Sequence, residues 1–287
     1  MKATTKPVAM IGRAVLIVSL SALGAQMAGA SVPPASGDAR SSIPLHIPFT
    51  VDQTGLPTFE AKIDGKPVSL FLDFGGYKNL SLKQHVLENL DVTYKNETEH
   101  FTSSTGVLST VKTFTAHNFQ AGTVRLSTID GASLPNGLYR FPQDGYLGFG
   151  FLKAFLVVFD YAHGEARLYP SNNPKLMQSE CGTNVFPVEV AKGVAEVDVE
   201  TELGKRVFSF DTGSNQNVAR PGKNPVLGAP GTLFKYQKFK LGNHDLGAES
   251  FLIIPYAAPD VDGVLGRNFF SKHIVCIDIA AGNAAVR

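Results

Sequence analysis

The sequence predicts an all-β protein of two lobes, one β-barrel module used twice in a single chain. Three observations carry that expectation. From Ile43 onward the segments are short, alternating and β-branched, punctuated by turn dipeptides such as Asp64-Gly65 and Asn136-Gly137. Helical periodicity is confined to brief pieces such as Ser81 to Leu90. Finally, four blocks of the first half recur in the same order in the second.

Taken in order, the chain opens with Lys2, Lys6 and Arg13, the apolar run Ala14 to Leu23, and Ala28-Gly29-Ala30. That is the order of a secretory signal peptide, so residues 1–30 are set apart from the fold and an exported product, periplasmic or extracellular, is expected. Residues 31–42 are rich in Ser, Pro, Ala and Gly and read as a flexible leader. Without residues 1–30 the formal charge of +1 becomes 23 basic against 25 acidic residues, or −2. Nothing in that balance calls for nucleic acid, and no later run has spanning length, so no membrane partner is expected after signal cleavage.

The first lobe is placed at 43–170. Its block Ile47-Pro48-Phe49-Thr50-Val51 matches Phe186-Pro187-Val188-Glu189-Val190, and Val68 to Asp73 with Phe74-Gly75-Gly76 matches Val207 to Asp211 with Thr212-Gly213-Ser214. Next, Phe119-Gln120-Ala121-Gly122 matches Phe239-Lys240-Leu241-Gly242. The closest match is Asp144-Gly145-Tyr146-Leu147-Gly148-Phe149 against Asp262-Gly263-Val264-Leu265-Gly266-Arg267, and the register then runs on to Asp160 and Asp278. Those four acids, Asp144, Asp262, Asp160 and Asp278, read as turn and strand-end residues. The offset falls from 138 positions at the Asp turn to 118 at the last block, so the first copy holds about twenty extra residues between them. Residues 171–183, beginning Ser171-Asn172-Asn173-Pro174, have the composition of a connector, and the second lobe follows at 184–287. The two cysteines, Cys181 and Cys276, either pair, as an exported protein permits, or remain thiols, Cys276 in its apolar run being suited to burial. The His and Cys spacing offers no metal site.

Each module delivers one Asp to one glycine-containing turn, Asp73-Phe74-Gly75-Gly76 and Asp211-Thr212-Gly213-Ser214. A pseudo-twofold arrangement of two lobes places Asp73 beside Asp211 at the seam. Two adjacent carboxyls resist double ionisation and share a proton, so one can take a proton from water while the other donates to a carbonyl. The glycines let backbone amides reach the carboxylates.

With these residues the chain resembles a two-lobed aspartic protease of the pepsin and retropepsin-like superfamily, of the bacterial exported type. The resemblance covers nearly all of residues 43–287. It is carried by Phe210-Asp211-Thr212-Gly213-Ser214 and by Val264-Leu265-Gly266-Arg267-Asn268. What it implies is a bilobal pepsin-like architecture with Asp73 and Asp211 catalytic and Thr212, Gly213, Ser214, Gly75 and Gly76 supporting them. Thr212 would reach across the seam and Ser214 would orient Asp211. Leu147-Gly148 and Leu265-Gly266 would pack beneath the turns. The extra residues of the first lobe fall where the family carries a β-hairpin flap, with a candidate tip at Ser104, Thr105 and Gly106 between Phe101 and Val107.

The expected activity is hydrolysis of peptide bonds by water activated at the Asp dyad, with no cofactor or metal, on a polypeptide substrate, by a monomer. Phe74 stands where the family has threonine. It supports the alternative of an inactive pepsin-like protein that grips a peptide or partner without cutting it.

Overall fold

The computed structural model describes residues 44–103, 106–135, 140–191, 193–221, 227–256 and 261–287. The segments expected to be a signal peptide and a leader, and Ser104 and Thr105 of the candidate flap, lie outside the described residues, whereas Gly106 lies within them. The chain is nearly all β, arranged as three sheets.

An eight-stranded sheet belongs to the first half. Its order is Thr50–Val51, Pro57–Ile63, Lys66–Asp73, Gly145–Gly148, Leu80–Lys83, Val124–Leu134, Leu108–Ala121 and Val92–Thr102. Pro57–Ile63 also pairs with Leu108–Ala121 at Ala61–Ala121 and Lys62–Gln120, which curls the sheet back on itself. The second half repeats the device. There Val194–Thr201 pairs with Gly204–Phe210 and also with Phe239–Leu241, setting Val199 opposite Leu241.

The connection around each Asp is the same in both halves. Lys66–Asp73 runs parallel to Gly145–Gly148, which lies antiparallel to Leu80–Lys83. Gly204–Phe210 runs parallel to Gly263–Leu265, which lies antiparallel to Val218–Ala219. Asp144 caps the first arrangement, its Oδ2 accepting the Ser69 amide at 2.9 Å, and Asp262 caps the second by accepting from Val207 at 3.0 Å. These acids are turn residues because a carboxylate at a strand end satisfies an amide that the ladder leaves open.

The third sheet is shared. Its six antiparallel strands run Leu45–Pro48, Glu165–Pro170, Phe155–Asp160, Val275–Asp278, Asn283–Val286 and Val185–Pro187, three from each half. The halves meet where Val157 faces Ile277 and Val158 faces Cys276. Above this sheet lies a phenylalanine-rich core in which Phe74, Phe159, Phe210 and Phe269 are fully buried, with Phe159 and Phe270 in edge contact at 5.4 Å. Each such ring contributes about 1.5–3 kcal/mol on leaving water, so the halves are bound by main-chain pairing and aromatic burial together.

The connector is more ordered than its composition suggests. Pro174–Cys181 is a helix, started by Asn173, whose side chain accepts the Leu176 amide at 3.1 Å, with Pro174 at its first turn. Asn followed by Pro is a helix-start signal. The helix packs Met177 and Cys181 against Leu156, Val158 and Tyr169 of the shared sheet. Cys181 is disulfide-bonded to Cys276, Cα to Cα 6.0 Å, which settles the alternative left open by the sequence. By contrast the helical piece expected over Ser81 to Leu90 shrinks to Gln84–Leu87, because Leu80–Lys83 is drawn into the sheet between two partners.

Among the described residues no helix is long and apolar enough to cross a membrane, and no cluster of His, Cys, Asp and Glu is placed to hold a metal ion.

Candidate active site

Asp73 ends a strand whose alternate residues Leu70 and Leu72 enter the core, and Asp211 directly follows one whose Phe208 and Phe210 do the same. Both acids are buried. After each the chain turns sharply and passes over a glycine of the last matched block. Phe149 donates its amide to the Gly76 carbonyl at 2.6 Å, and Arg267 donates to the Ser214 carbonyl at 2.9 Å. A Cβ on Gly148 would stand 2.3 Å from the Gly76 and Lys78 carbonyl oxygens, and one on Gly266 would stand 2.2 Å from that of Gln216. Only glycine lets these segments thread so closely beneath the turns.

Within each turn the second residue after the acid returns its amide to the carboxylate. Gly75 donates to Asp73 Oδ1 at 3.0 Å and Gly213 to Asp211 Oδ1 at 2.8 Å. Across the seam the same glycines lie against the opposite acids. A Cβ added to Gly75 would be 2.5 Å from Asp211 Cγ, and one added to Gly213 would be 2.5 Å from Asp73 Oδ1. The two carboxyls therefore converge, each held over the other half's glycine, within reach of a carboxyl–carboxyl hydrogen bond. A carboxyl–carboxyl bond requires a proton on one partner. Burial first, then the Asp73 charge and that bond, hold Asp211 well above the usual carboxylate range, against the amides of Gly213 and Ser214. Oδ2 of Asp211 is buried and receives no bond from the protein's fixed donors.

Thr212 braces the seam in one direction. Its hydroxyl donates to the Leu72 carbonyl at 2.8 Å and accepts the Phe74 amide at 2.8 Å. Phe74, its counterpart, offers no return. The ring does not wedge between the carboxyls but turns down into the core, meeting Phe149 edge-on at 5.4 Å and Phe159 at 5.8 Å. A large apolar side chain on a buried turn is drawn toward other rings rather than toward two acids.

Ser214 departs from expectation. Its hydroxyl donates to the Gln216 carbonyl at 2.8 Å, and only its amide acts on Asp211. The carbonyl two residues on is a strong local acceptor, so the hydroxyl closes its own turn instead of orienting the acid. Gly76 leaves room for Tyr146: a Cβ there would lie 2.5 Å from Tyr146 Cε2 and 2.7 Å from Asp73 Oδ2. Tyr146 is buried with Leu56, Phe71, Leu134 and Phe141 beside the Asp73 turn. Burial, followed by the Asp73 charge, pushes its phenol up.

The extra residues of the first half build the hairpin Val92–Thr102 and Leu108–Ala121, pairing as far as Thr102 with Leu108. Its end is closed by Ser103, whose amide donates to the Val107 carbonyl at 2.9 Å and whose Oγ accepts the Val107 amide at 3.1 Å, with Gly106 at φ 83°. The arm is tied to the Asp73 turn by Glu99, which accepts from the Tyr77 hydroxyl at 2.6 Å and from Lys78. Burial favours a protonated Glu99, but the bonds from Lys78 and Tyr77 and the charges of Lys78 and Lys95 outweigh it and hold the carboxyl low.

Sequence reasoning missed Asn217. Its Oδ1 accepts the amides of Gly266 and Phe269 at 3.0 and 3.1 Å, pinning the block under Asp211, and its Nδ2 reaches the buried Glu249, which Lys272 pairs at 2.8 Å. The signal was present: Asn79 occupies the matched position, and its carbonyl accepts from Gly148 at 2.8 Å.

No protein-family model matches this sequence, and comparison with curated proteins finds no match. The structure is similar to the crystal structure of basic 7S globulin from soybean, with a TM-score of 0.55 at 10% identity, over 85% of this chain and 94% of that one. A likeness at that identity speaks to the fold, which is bilobal and pepsin-like.

Proposed function

We propose that this chain is an exported aspartic-type endopeptidase in which Asp73 and Asp211 together activate a water molecule. The observation that carries this reading is the convergence of the two carboxyls, each pressed against the other half's turn glycine, at 2.5 Å from a Cβ position in both directions. Burial and the Asp73 charge raise Asp211, so the pair retains a proton when isolated carboxyls have lost theirs. The ionised member takes a proton from water lying between the carboxyls. The protonated member donates to the oxygen of the scissile carbonyl, and the tetrahedral adduct collapses as the nitrogen is protonated. Gly75 and Gly213 hold the carboxylates in place through their amides.

A second reading keeps one observation on its side. Between the two turns, the cross-seam side-chain hydrogen bonds among the described residues come from Thr212, Phe74 having no hydroxyl to answer it. On that reading the chain holds an extended peptide without cutting it. Incubation of the purified protein with a peptide library across acidic and neutral pH, followed by mass spectrometry, separates the two. Cleavage lost in both Asp73→Asn and Asp211→Asn supports the peptidase. Binding that survives both substitutions, with no turnover at any pH, supports the holdfast.

A further inference from the structure

The two halves differ at one edge of their sheets. In the first, Leu108–Ala121 lies between Val124–Leu134 on one side and Val92–Thr102 on the other. In the second, Leu233–Tyr236 occupies the equivalent place: Phe234 faces Phe251 as Phe114 faces Gly131. Yet among the described residues no strand covers its outer side, and it ends the nine-stranded sheet. Leu252 gives its amide to the Asn217 carbonyl on the far side at 3.0 Å, which makes Leu233–Leu252 a pair without mutual bonds. The amide and carbonyl of Leu233 therefore point outward, and so do those of Lys235 two residues on. The Lys235 carbonyl has a contact of 3.5 Å with the Gln237 side chain. In the first half the matching residue, Thr115, faces Thr93.

Exposed edges are ordinarily defended by charge and bulges. The first half's outer strand is: it carries Lys95, Glu97, Glu99 and His100 and slips register between Tyr94 and Thr98. The Leu233–Tyr236 edge carries one charge, Lys235, beside Leu233, which is 76% exposed, more than any other large apolar side chain described.

We infer that the Leu233–Tyr236 edge is a strand-addition site for an extended segment of another polypeptide. The molecule itself displays the occupant's chemistry, since Val92-Thr93-Tyr94 fills the equivalent slot antiparallel, with Tyr94 opposite Phe114. A partner segment sets an aromatic or branched residue opposite Phe234 and, to pair with the Lys235 ammonium, an acid opposite that lysine. A second copy of the chain is not the occupant. Four residues of self-paired edge fall far short of the roughly 1,000 Å² that a stable interface requires. This site is separate from the Asp73–Asp211 pair and does not depend on its chemistry.

The probe is an acetylated, amidated peptide of residues 90–96 carrying Thr93→Glu. It is titrated into 15N-labelled protein bearing Asp211→Asn, so that hydrolysis does not intervene. Saturable shifts and slowed hydrogen exchange at the amides of Leu233 and Lys235 are expected. Affinity should fall at least ten-fold when the peptide's residue 93 amide is N-methylated, and likewise in Lys235→Pro, a substitution tolerated on edge strands. The N-methyl comparison needs no folded variant, and a thermal melt checks that Lys235→Pro folds. Four outcomes overturn the inference: no binding, equal binding of the N-methylated peptide, shifts confined to the Asp73 and Asp211 turns, or a concentration-dependent dimer abolished by Lys235→Pro.

Discussion

The turn after Asp73 and the turn after Asp211 share a backbone and differ in side chains. In both, the third residue's amide binds its own carboxylate, the fourth residue's amide returns to the acid's carbonyl at 3.1 or 3.2 Å, and a glycine passes beneath. In one, Thr212 crosses the seam with two hydrogen bonds; in the other, Phe74 sinks into the core. The carboxyls are thus placed by main-chain geometry, and the side chain after each acid is free to serve a different end.

That comparison can be broken or sharpened. The largest effect is expected at the acids. Asp73→Asn and Asp211→Asn should each lower kcat/KM on a library-derived peptide by about 10²–10⁴-fold, the range for removing an acid–base group. Similar losses would show that the unlike turns supply equal halves of a dyad, and a loss in only one would show that they do not.

Next comes Phe74→Thr, which makes the turns alike. Losing a buried ring costs about 3–5 kcal/mol, and a restored cross-seam bond returns only about 0.5–1.5. Urea denaturation should therefore show a less stable protein. A gain in stability would mean that the ring is strained where it lies.

Thr212→Val removes the threonine brace between the turns at similar volume and should cost about 1–3 kcal/mol, since the Phe74 amide is left buried without its acceptor. No change in the denaturation midpoint would show that the seam holds without it.

The smallest effect is a pH dependence. Asp211 titrates higher folded than unfolded, so its contribution is fully present below the unfolded aspartate range and is lost as pH rises toward the folded value. Asp211→Asn escapes that loss. Its melting temperature should exceed that of the unaltered protein by a margin that widens from about pH 3 to about pH 7. A constant margin would show that neither burial nor the Asp73 charge raises Asp211 in the folded protein.

Much of this was legible in the residues because it is fixed by backbone demands. Asp and Gly at turns recur where the chain must bend or thread closely, and those positions carried the duplication and both acids. Three features were not legible. The direction of the Phe74 ring depends on the space between Phe149 and Phe159, which are distant in sequence. The Ser214 hydroxyl chose a nearby carbonyl over the acid, a contest of angles that spacing does not disclose. The shared sheet rests on pairing such as Val158 with Cys276, and the matched blocks that lie on its strands gave no sign that the two halves pair with each other. The connector helix was readable from Asn173-Pro174 but was masked by the linker-like composition around it.

The Phe74 ring also fixes where the two acids lie with respect to any relative motion of the lobes. One edge contact, 5.8 Å, separates it from Phe159, a residue of the central strand on which the halves join. Asp73, the residue before it, thus sits close to the fulcrum. If the lobes tilt about that central strand pair, displacement grows with distance from it: the rim of the cleft travels far while the carboxyls hardly part. Motion of that kind would change the spacing at the periphery of the two halves while leaving the Asp73–Asp211 pair at the pivot in register.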